Sequence, residues 1–198
     1  NGLDTATFSK FNGSTGDLEW DFQLAFPSII HDFEYAPKEE AFLLVGATEP
    51  FRIGDAPQDN ESILLKVDDT GNLIFGRRYQ RLGREHFNRI LRHPDPRDPD
   101  FPFYISGTVN PPENLPHYPA PPSATDRVTL LNIDDNGQIK WANEYDYAAT
   151  DVPDDEFHRG LFAVNTSPDV LNDGDIVMTG NDSPSNDGIL VKVNGATG

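Results

Sequence analysis

The sequence contains no cysteine, a single methionine and only two tryptophans among its 198 residues. The absence of cysteine excludes disulfides, thiolate zinc sites and cysteine nucleophiles, but it leaves the redox compartment open. Basic residues are also scarce, since 15 Lys and Arg stand against 33 Asp and Glu, for a net charge of −18. Such a charge opposes binding to nucleic acid and is typical of a protein in a salty or extracellular medium.

Long hydrophobic runs are missing as well. No stretch approaches the roughly 20 apolar residues that a membrane-spanning helix needs, so we expect no membrane span. No apolar pattern of helical period extends beyond two turns. Instead, 16 Gly and 17 Pro mark frequent turns, and the short runs between them alternate with a period of two. The chain is therefore predicted to be all-β.

One segment recurs four times along the chain. The stretch "TFSKFNGSTGDLEW" at 7–20 aligns with "LLKVDDTGNLIF" at 64–75, "TLLNIDDNGQIKW" at 129–141 and "ILVKVNGATG" at 189–198. Each copy begins with a strand pattern that predicts one buried face, and continues into a turn of Asp, Asn, Thr and Gly. The spacing of roughly 60 residues fits a four-stranded propeller blade with long loops.

A large aromatic ring occupies one place in the second strand of three copies: Trp20, Phe75 and Trp141. We expect these rings to pack between neighbouring units rather than to form a binding platform. A second strand pair is predicted before each complete copy, so that a unit has four antiparallel strands, A to D in chain order.

The predicted organisation is a single β-propeller segment of about three blades. It comprises a C–D hairpin of a first blade (1–20), two blades (21–78 and 79–145) and a partial blade (146–198). Because known rings have at least four blades, we expect the chain to be part of a larger propeller. An open stack, or pairing with another chain, is the alternative.

The motifs "ILLKVDDTGNLIFGRRY", "TLLNIDDNGQIKWANEY" and "DDEFHRGLF" with "DIVMTG" resemble the repeat of large secreted bacterial β-propellers of the Bacteroidetes surface type. The stretch "FNGSTGDLEW" is also similar to the tryptophan-docking repeat of quinoprotein-like propellers. Both resemblances imply a propeller fold, and the first implies an extracellular or cell-surface location. The quinone chemistry of the second family does not carry over, since no residues that contact a quinone are identified.

The loops that join strands B and C are expected to carry ligand contacts, because a rigid scaffold leaves its loops free to vary. We predict such contacts at Phe51 and Arg52 in the loop 49–61, and at His117 and Tyr118 in the proline-rich loop 110–126. The prolines pre-set an extended backbone. The alternative for this second loop is a stiff spacer against a neighbouring blade.

Histidines and acidic turns raise the question of metals. His31, His86 and His158 fall near the starts of A strands, but their stagger in the alignment predicts that they do not face the same way. The turns "KVDDTGN" and "NIDDNGQ" lack the spacing of a dedicated calcium loop, so turn chemistry is expected. We predict no metal site and no cofactor, with weak calcium binding left open.

These features predict a non-catalytic, secreted or cell-surface propeller segment that acts as a binding or structural module in a larger extracellular protein or assembly. Its partners would be other blades of the same longer chain or another subunit, and a glycan or protein ligand. No catalytic residues are identified. The alternative is a carbohydrate-active propeller, a glycoside hydrolase or lyase, with a carboxylate pair drawn from four residues: Glu85, Asp154, Asp155 and Glu156.

Overall fold

The computed structural model of the chain describes residues 5–26, 28–48, 61–79, 84–93, 100–110, 127–145, 156–163, 175–182 and 187–198. Within these ranges the regular structure is entirely β, which confirms the predicted class. The strands are β1 (Thr7–Phe11), β2 (Leu18–Gln23), β3 (Ser28–Ala36), β4 (Ala41–Thr48), β5 (Ser62–Asp68), β6 (Leu73–Tyr79), β7 (Arg84–Arg92), β8 (Phe103–Asn110), β9 (Arg127–Ile133), β10 (Ile139–Tyr145), β11 (Glu156–Ala163), β12 (Ile176–Asp182) and β13 (Asp187–Val193).

The strands form four antiparallel sheets in which chain neighbours pair with each other. The first sheet is the β1–β2 hairpin, the second contains β3 to β6, the third contains β7 to β10, and the fourth contains β11 to β13. The second and third sheets are thus four-stranded antiparallel meanders, as the predicted A-to-D order requires.

Apolar layers join each sheet to the next one along the chain. In β4, Leu43 and Val45 belong to the layer shared with the third sheet, whereas Leu44 belongs to the layer shared with the first. Tyr104 and Leu130 of the third sheet form a layer with Met178 of the fourth. Because side chains alternate between the two faces of a strand, each inner sheet contributes to two layers.

The prediction of one buried face per strand is wrong for β5. Ile63 and Leu65 are buried on one face, and Leu64 and Lys66 are equally buried on the other. The physical reason is that the second sheet is packed on both sides, so even the lysine of the alternating pattern lies inside. Fully burying a Leu or Ile side chain contributes roughly 1.5–3 kcal/mol, so both faces stabilise the stack.

The chain contains two nearly identical heptapeptides, "KFNGSTG" at 10–16 and "KVNGATG" at 192–198, and both form the same turn. Gly16 N–H donates to the carbonyl of Asn12 at 2.8 Å, and Gly198 N–H donates to that of Asn194 at 2.8 Å. In both turns the Asn side-chain oxygen accepts the backbone N–H two residues later, at 2.9 Å. The two glycines have positive φ angles of 76° and 82°, which explains why glycine occupies this place.

The turns that follow β5 and β13 lie against a tryptophan of the preceding sheet. A Cβ atom at Gly71 would stand 2.9 Å from Cδ2 of Trp20, and one at Gly198 would stand 2.9 Å from Cζ3 of Trp141. The aromatic rings therefore do pack between neighbouring sheets, as expected. At Gly16 of the first turn, by contrast, no atom lies within 4 Å of such a Cβ.

The junction between the second and third sheets differs in detail. Gly137 has Tyr79 and Arg77 beside it, and its carbonyl accepts hydrogen bonds from Tyr79 Oη at 3.0 Å and Arg77 Nη1 at 3.3 Å. Phe75, which stands where the other copies have Trp, instead packs on the apolar layer under the Arg77 guanidinium, 5.4 Å from its ring centre. Phe has no N–H to offer the turn, and Tyr79 and Arg77 supply the donors.

In each docked turn, the carbonyl of the residue after the first Asp or Asn accepts a hydrogen bond from the preceding sheet. The pairs are Trp20 Nε1 with the Asp69 carbonyl at 2.7 Å, Lys66 Nζ with the Asp135 carbonyl at 2.9 Å, and Tyr104 Oη with the Gly195 carbonyl at 3.0 Å. Three different donors thus fill one geometric role. Turn and sheet are joined by both a polar and an apolar contact at every described junction.

Candidate functional site on the inner strands

The predicted ligand-contact residues lie outside the described part of the chain: Phe51, Arg52, His117 and Tyr118. The same holds for Asp154 and Asp155, and for the side chains of Glu85, Glu156 and His158. The described residues that bring polar chemistry together lie elsewhere, on β3 and β7, the edge strands that begin the second and third sheets.

Strand β3 supplies carboxylates to the backbone of β7. Asp32 Oδ2 accepts a hydrogen bond from the Ile90 N–H at 3.1 Å, and Glu34 Oε2 accepts one from the Arg92 N–H at 3.3 Å. Within the described sheets, these N–H groups lie on an edge of β7 that no strand pairs with, so the carboxylates satisfy donors that would otherwise need water. The two A strands are thereby fixed side by side.

Strands β3 and β7 each carry a β-bulge at an equivalent position. The register shifts between Ile30 and Asp32 in β3, and between Phe87 and Arg89 in β7. Opposite each bulge stands a glycine, at which a Cβ would come within 1.9 Å (position 46) or 2.2 Å (position 107) of a backbone oxygen. Only glycine permits this close approach, so the bulge is a built feature of both strands.

The bulge brings two histidines together. The rings of His31 and His86 lie 6.4 Å apart between centroids, tilted by 62°. The prediction that these residues face different ways is therefore wrong for this pair. That prediction assumed regular strands. In the structure, His31 is the extra residue of the bulge in β3. His86 therefore corresponds to Ile29, not to His31, when the two strands are aligned.

Burial and the charge of Arg89 together set the protonation of His31. Removal of water from the imidazole and the positive charge of Arg89 hold the pKa of His31 below its usual value. His31 is therefore neutral at pH 7 and offers one N–H donor and one acceptor nitrogen. Arg89 itself is partly buried.

A second polar cluster surrounds Lys66. Its side chain is only 1% exposed, and its ammonium contacts Glu39 Oε2 at 2.5 Å as well as the Asp135 carbonyl. The hydrogen bond from Lys66 holds the pKa of Glu39 below its usual value, whereas burial and the nearby Glu39 raise that of Asp135. Because the cluster links the second sheet to the turn after β9, its role is to join sheets.

The Asp residues of the turns are engaged in turn chemistry. Asp68 Oδ1 accepts the backbone N–H groups of Thr70 and Asn72 at 2.9 and 2.8 Å. These bonds lower the pKa of Asp68 to about 2. Asp134 Oδ1 accepts the N–H of Gln138 in the same way, at 2.6 Å. The described geometry therefore accounts for these acidic residues through hydrogen bonding within each turn.

No protein-family model matches this chain, and no curated protein matches it. Over the described ranges, no helix is long and apolar enough to cross a membrane. Among the same residues, no group of three or more His, Asp and Glu side chains is placed to hold a metal ion.

Proposed function

We propose that the chain is a run of consecutive β-propeller blades that serves, without catalysis, as a binding or structural module of a larger extracellular or cell-surface assembly. The observation that carries this proposal is the stacking of successive antiparallel meanders, each of which holds the turn of the next sheet. Such stacking gives a rigid scaffold on which loops are free to vary and to bind. The net charge of −18 supports the extracellular setting.

A comparison of Phe33 with Ile90 supports the presence of further strands beside the first sheet. The two residues are equivalent in the register of their strands. Each lies two residue pairs after the pair that contains the glycine opposite the bulge. Ile90 is 5% exposed because the second sheet covers it, whereas Phe33 is 51% exposed. Tyr35, on the same face of β3, is also exposed. We propose that two inner strands pair with β1 and cover this stripe.

These strands would come from the same longer chain or from another subunit. In the described part of the chain, the first sheet consists of β1 and β2, which correspond to strands C and D of the second and third sheets. An added pair would complete its A-to-D order and would satisfy the open edge of β1. Covering the apolar stripe would contribute roughly 25 cal/mol for each Å² removed from water.

The alternative of a glycoside hydrolase or lyase requires two carboxyl groups that flank a bound sugar. Among the described residues, the carboxyl groups of Glu39 and Asp135 share a hydrogen bond, and Glu39 also pairs with the buried Lys66 between two sheets. The contact between two sheets explains why these two carboxyl groups lie close together, and it requires no bound substrate. A non-catalytic module is therefore the function that the described residues support best.

Hydroxyl-radical footprinting tests the proposal. We expect Phe33 and Tyr35 to be protected in the natural full-length protein and reactive in the 198-residue chain alone. Phe11, which is 59% exposed and lies near the turn after β1, serves as an internal reference in both samples. Equal reactivity of Phe33 in the two samples would contradict the proposed strand pair.

A further inference from the structure

Leu190 marks the fourth sheet as an exposed end of the stack. It is equivalent to Leu64 in β5 and Leu130 in β9, because each of the three pairs with the residue before the glycine of the neighbouring strand. Leu64 and Leu130 are 0% exposed in the layers shared with the next sheet, whereas Leu190 is 69% exposed. Val177 and Thr179 lie on the same face and are partly exposed. We call Val177, Thr179 and Leu190 the end face.

The turn 12–16 marks the first sheet as the opposite end of the stack. In the three other turns of this kind, the glycine lies against a large side chain of the preceding sheet. These pairs are Trp20 with Gly71, Leu64 with Gly137, and Trp141 with Gly198. At Gly13 and Gly16, by contrast, a Cβ atom would have no other atom within 4 Å. The turn 12–16 is therefore built like a docked turn, but its glycines have no sheet against them.

The end face and the turn 12–16 correspond to the two sides of one junction. Where the second sheet meets the third, a Cβ atom at Gly137 would stand 2.8 Å from Cδ2 of Leu64. Leu190 holds the place of Leu64, and Gly16 holds the place of Gly137. The end face is thus the side of a sheet that receives a turn, and 12–16 is a turn that such a side receives.

We propose that the end face of one copy of this chain binds the turn 12–16 of a second copy, head to tail, with Leu190 against Gly16. This inference rests on the structural role in the proposed function and names its partner. Both complementary surfaces lie on the same 198-residue chain, and its three internal junctions are contacts of the same kind. A head-to-tail contact closes a ring where the rotation between copies allows it, and otherwise extends as a filament.

Apolar contact, rather than charge, would hold the two copies together. Lys192, at the place of Lys66, already pairs with Asp175 Oδ2 at 2.7 Å, so we assign it no role across the contact. The net charge of −18 on each copy opposes the approach of a second copy. Because added salt screens this repulsion, the association should strengthen as the ionic strength rises.

Analytical ultracentrifugation of the 198-residue chain tests the proposal, at concentrations from about 1 μM to about 1 mM, where weak complexes form. We expect a monomer at the lowest concentration and a reversible growth in mass above it, larger at high salt. L190D and G16D should each weaken the association at least about tenfold, because each buries a charge in an apolar contact. I74D is the matched control, since Ile74 is a 52% exposed apolar residue of the second sheet, and it should change nothing.

A mixture of two variants tests the head-to-tail arrangement itself. L190D keeps an intact turn 12–16, and G16D keeps an intact end face. The equimolar mixture should therefore form a dimer, although neither variant associates alone. A symmetric contact between two like surfaces would not be restored by mixing. If circular dichroism shows that G16D does not fold, G16N takes its place, because asparagine also tolerates a positive φ angle.

Several results would overturn the proposal. These are a monomer at every concentration and salt, a loss in I74D equal to that in L190D, or a mixture that stays monomeric while the unaltered chain associates. A monomeric natural full-length protein in which Leu190 is protected from hydroxyl radicals would also overturn it, because another part of the same chain would then cover the end face. Phe33 belongs to neither surface, so its footprinting can succeed or fail independently of these results.

Discussion

The indole of Trp20 lies over Gly71, where a Cβ atom would come 2.9 Å from Cδ2, and its Nε1 donates to the carbonyl of Asp69 at 2.7 Å. Gly71 also has a φ angle of 88°. A ring from one sheet, a bare glycine from the next and one hydrogen bond thus define the junction. Trp141 makes the same ring-to-glycine contact with Gly198 at the third junction, where Tyr104 supplies the hydrogen bond to the turn.

Gly71→Ala should destabilise the protein through two effects. The left-handed backbone costs an alanine about 1–2 kcal/mol, and the contact with Trp20 adds about 1–3 kcal/mol of overpacking. Gly16→Ala is the matched control, since Gly16 also has a positive φ but no atom near the added methyl. Urea denaturation should show the larger loss for Gly71→Ala. Equal losses would show that the tryptophan contact carries no energy.

The two tryptophans should respond differently to replacement by phenylalanine. Trp20 Nε1 makes a hydrogen bond, whereas Trp141 Nε1 is buried without one among the described residues, because Tyr104 occupies the Gly195 carbonyl. Trp20→Phe should therefore cost about 1–2 kcal/mol more than Trp141→Phe. Denaturation followed by circular dichroism measures both. A larger loss for Trp141→Phe would contradict the assigned bonds.

Lys66→Met should lower the free energy of unfolding by about 1–3 kcal/mol. The substitution keeps the volume but leaves the Asp135 carbonyl and Glu39 without their shared donor. Lys10 holds the equivalent place in the first sheet and pairs with Asp69 and Glu19, but it is far less buried. Lys10→Met should therefore cost less, as measured by the same urea titration. The reverse order would show that burial of Lys66 does not matter.

Acid should weaken the turn after β5 through Asp68. Its pKa is lowered to about 2 by the N–H and side-chain donors of Asn72 and Thr70, against an ordinary value of about 3.8. A lowered carboxyl pKa stabilises the folded state above the ordinary value, and the gain is lost as the pH falls toward 2. The stability difference between the unaltered protein and Asp68→Asn should shrink from pH 5 to pH 2. A difference that stays constant would exclude this carboxylate as the cause.

The strand order could be predicted from the sequence because its signals are local. Turn residues at "DDTGN" and "DDNGQ", and period-two runs on either side, are enough to define hairpins. The burial of Lys66 is not local, since its acceptor at Asp135 lies 69 residues away. A lysine in an alternating strand indicates a solvent face unless another sheet is known to cover it.

The inner-strand site could not be predicted for a similar reason. His31 and His86 meet only because a bulge in each strand shifts the register, and a bulge adds a residue without any distinctive side chain. The glycines opposite the bulges, in "VGAT" and "ISGT", were the available signal. They mark where backbone approaches backbone, and therefore where the register of the nearby histidines shifts.

The central claim is that successive sheets surround a common axis with β3, β7 and β11 innermost. Electron cryo-microscopy of the natural full-length protein tests it most directly. The account predicts a closed ring in which an added strand pair beside β1 covers Phe33. A straight stack of sheets, or a ring in which Phe33 faces solvent, would contradict it.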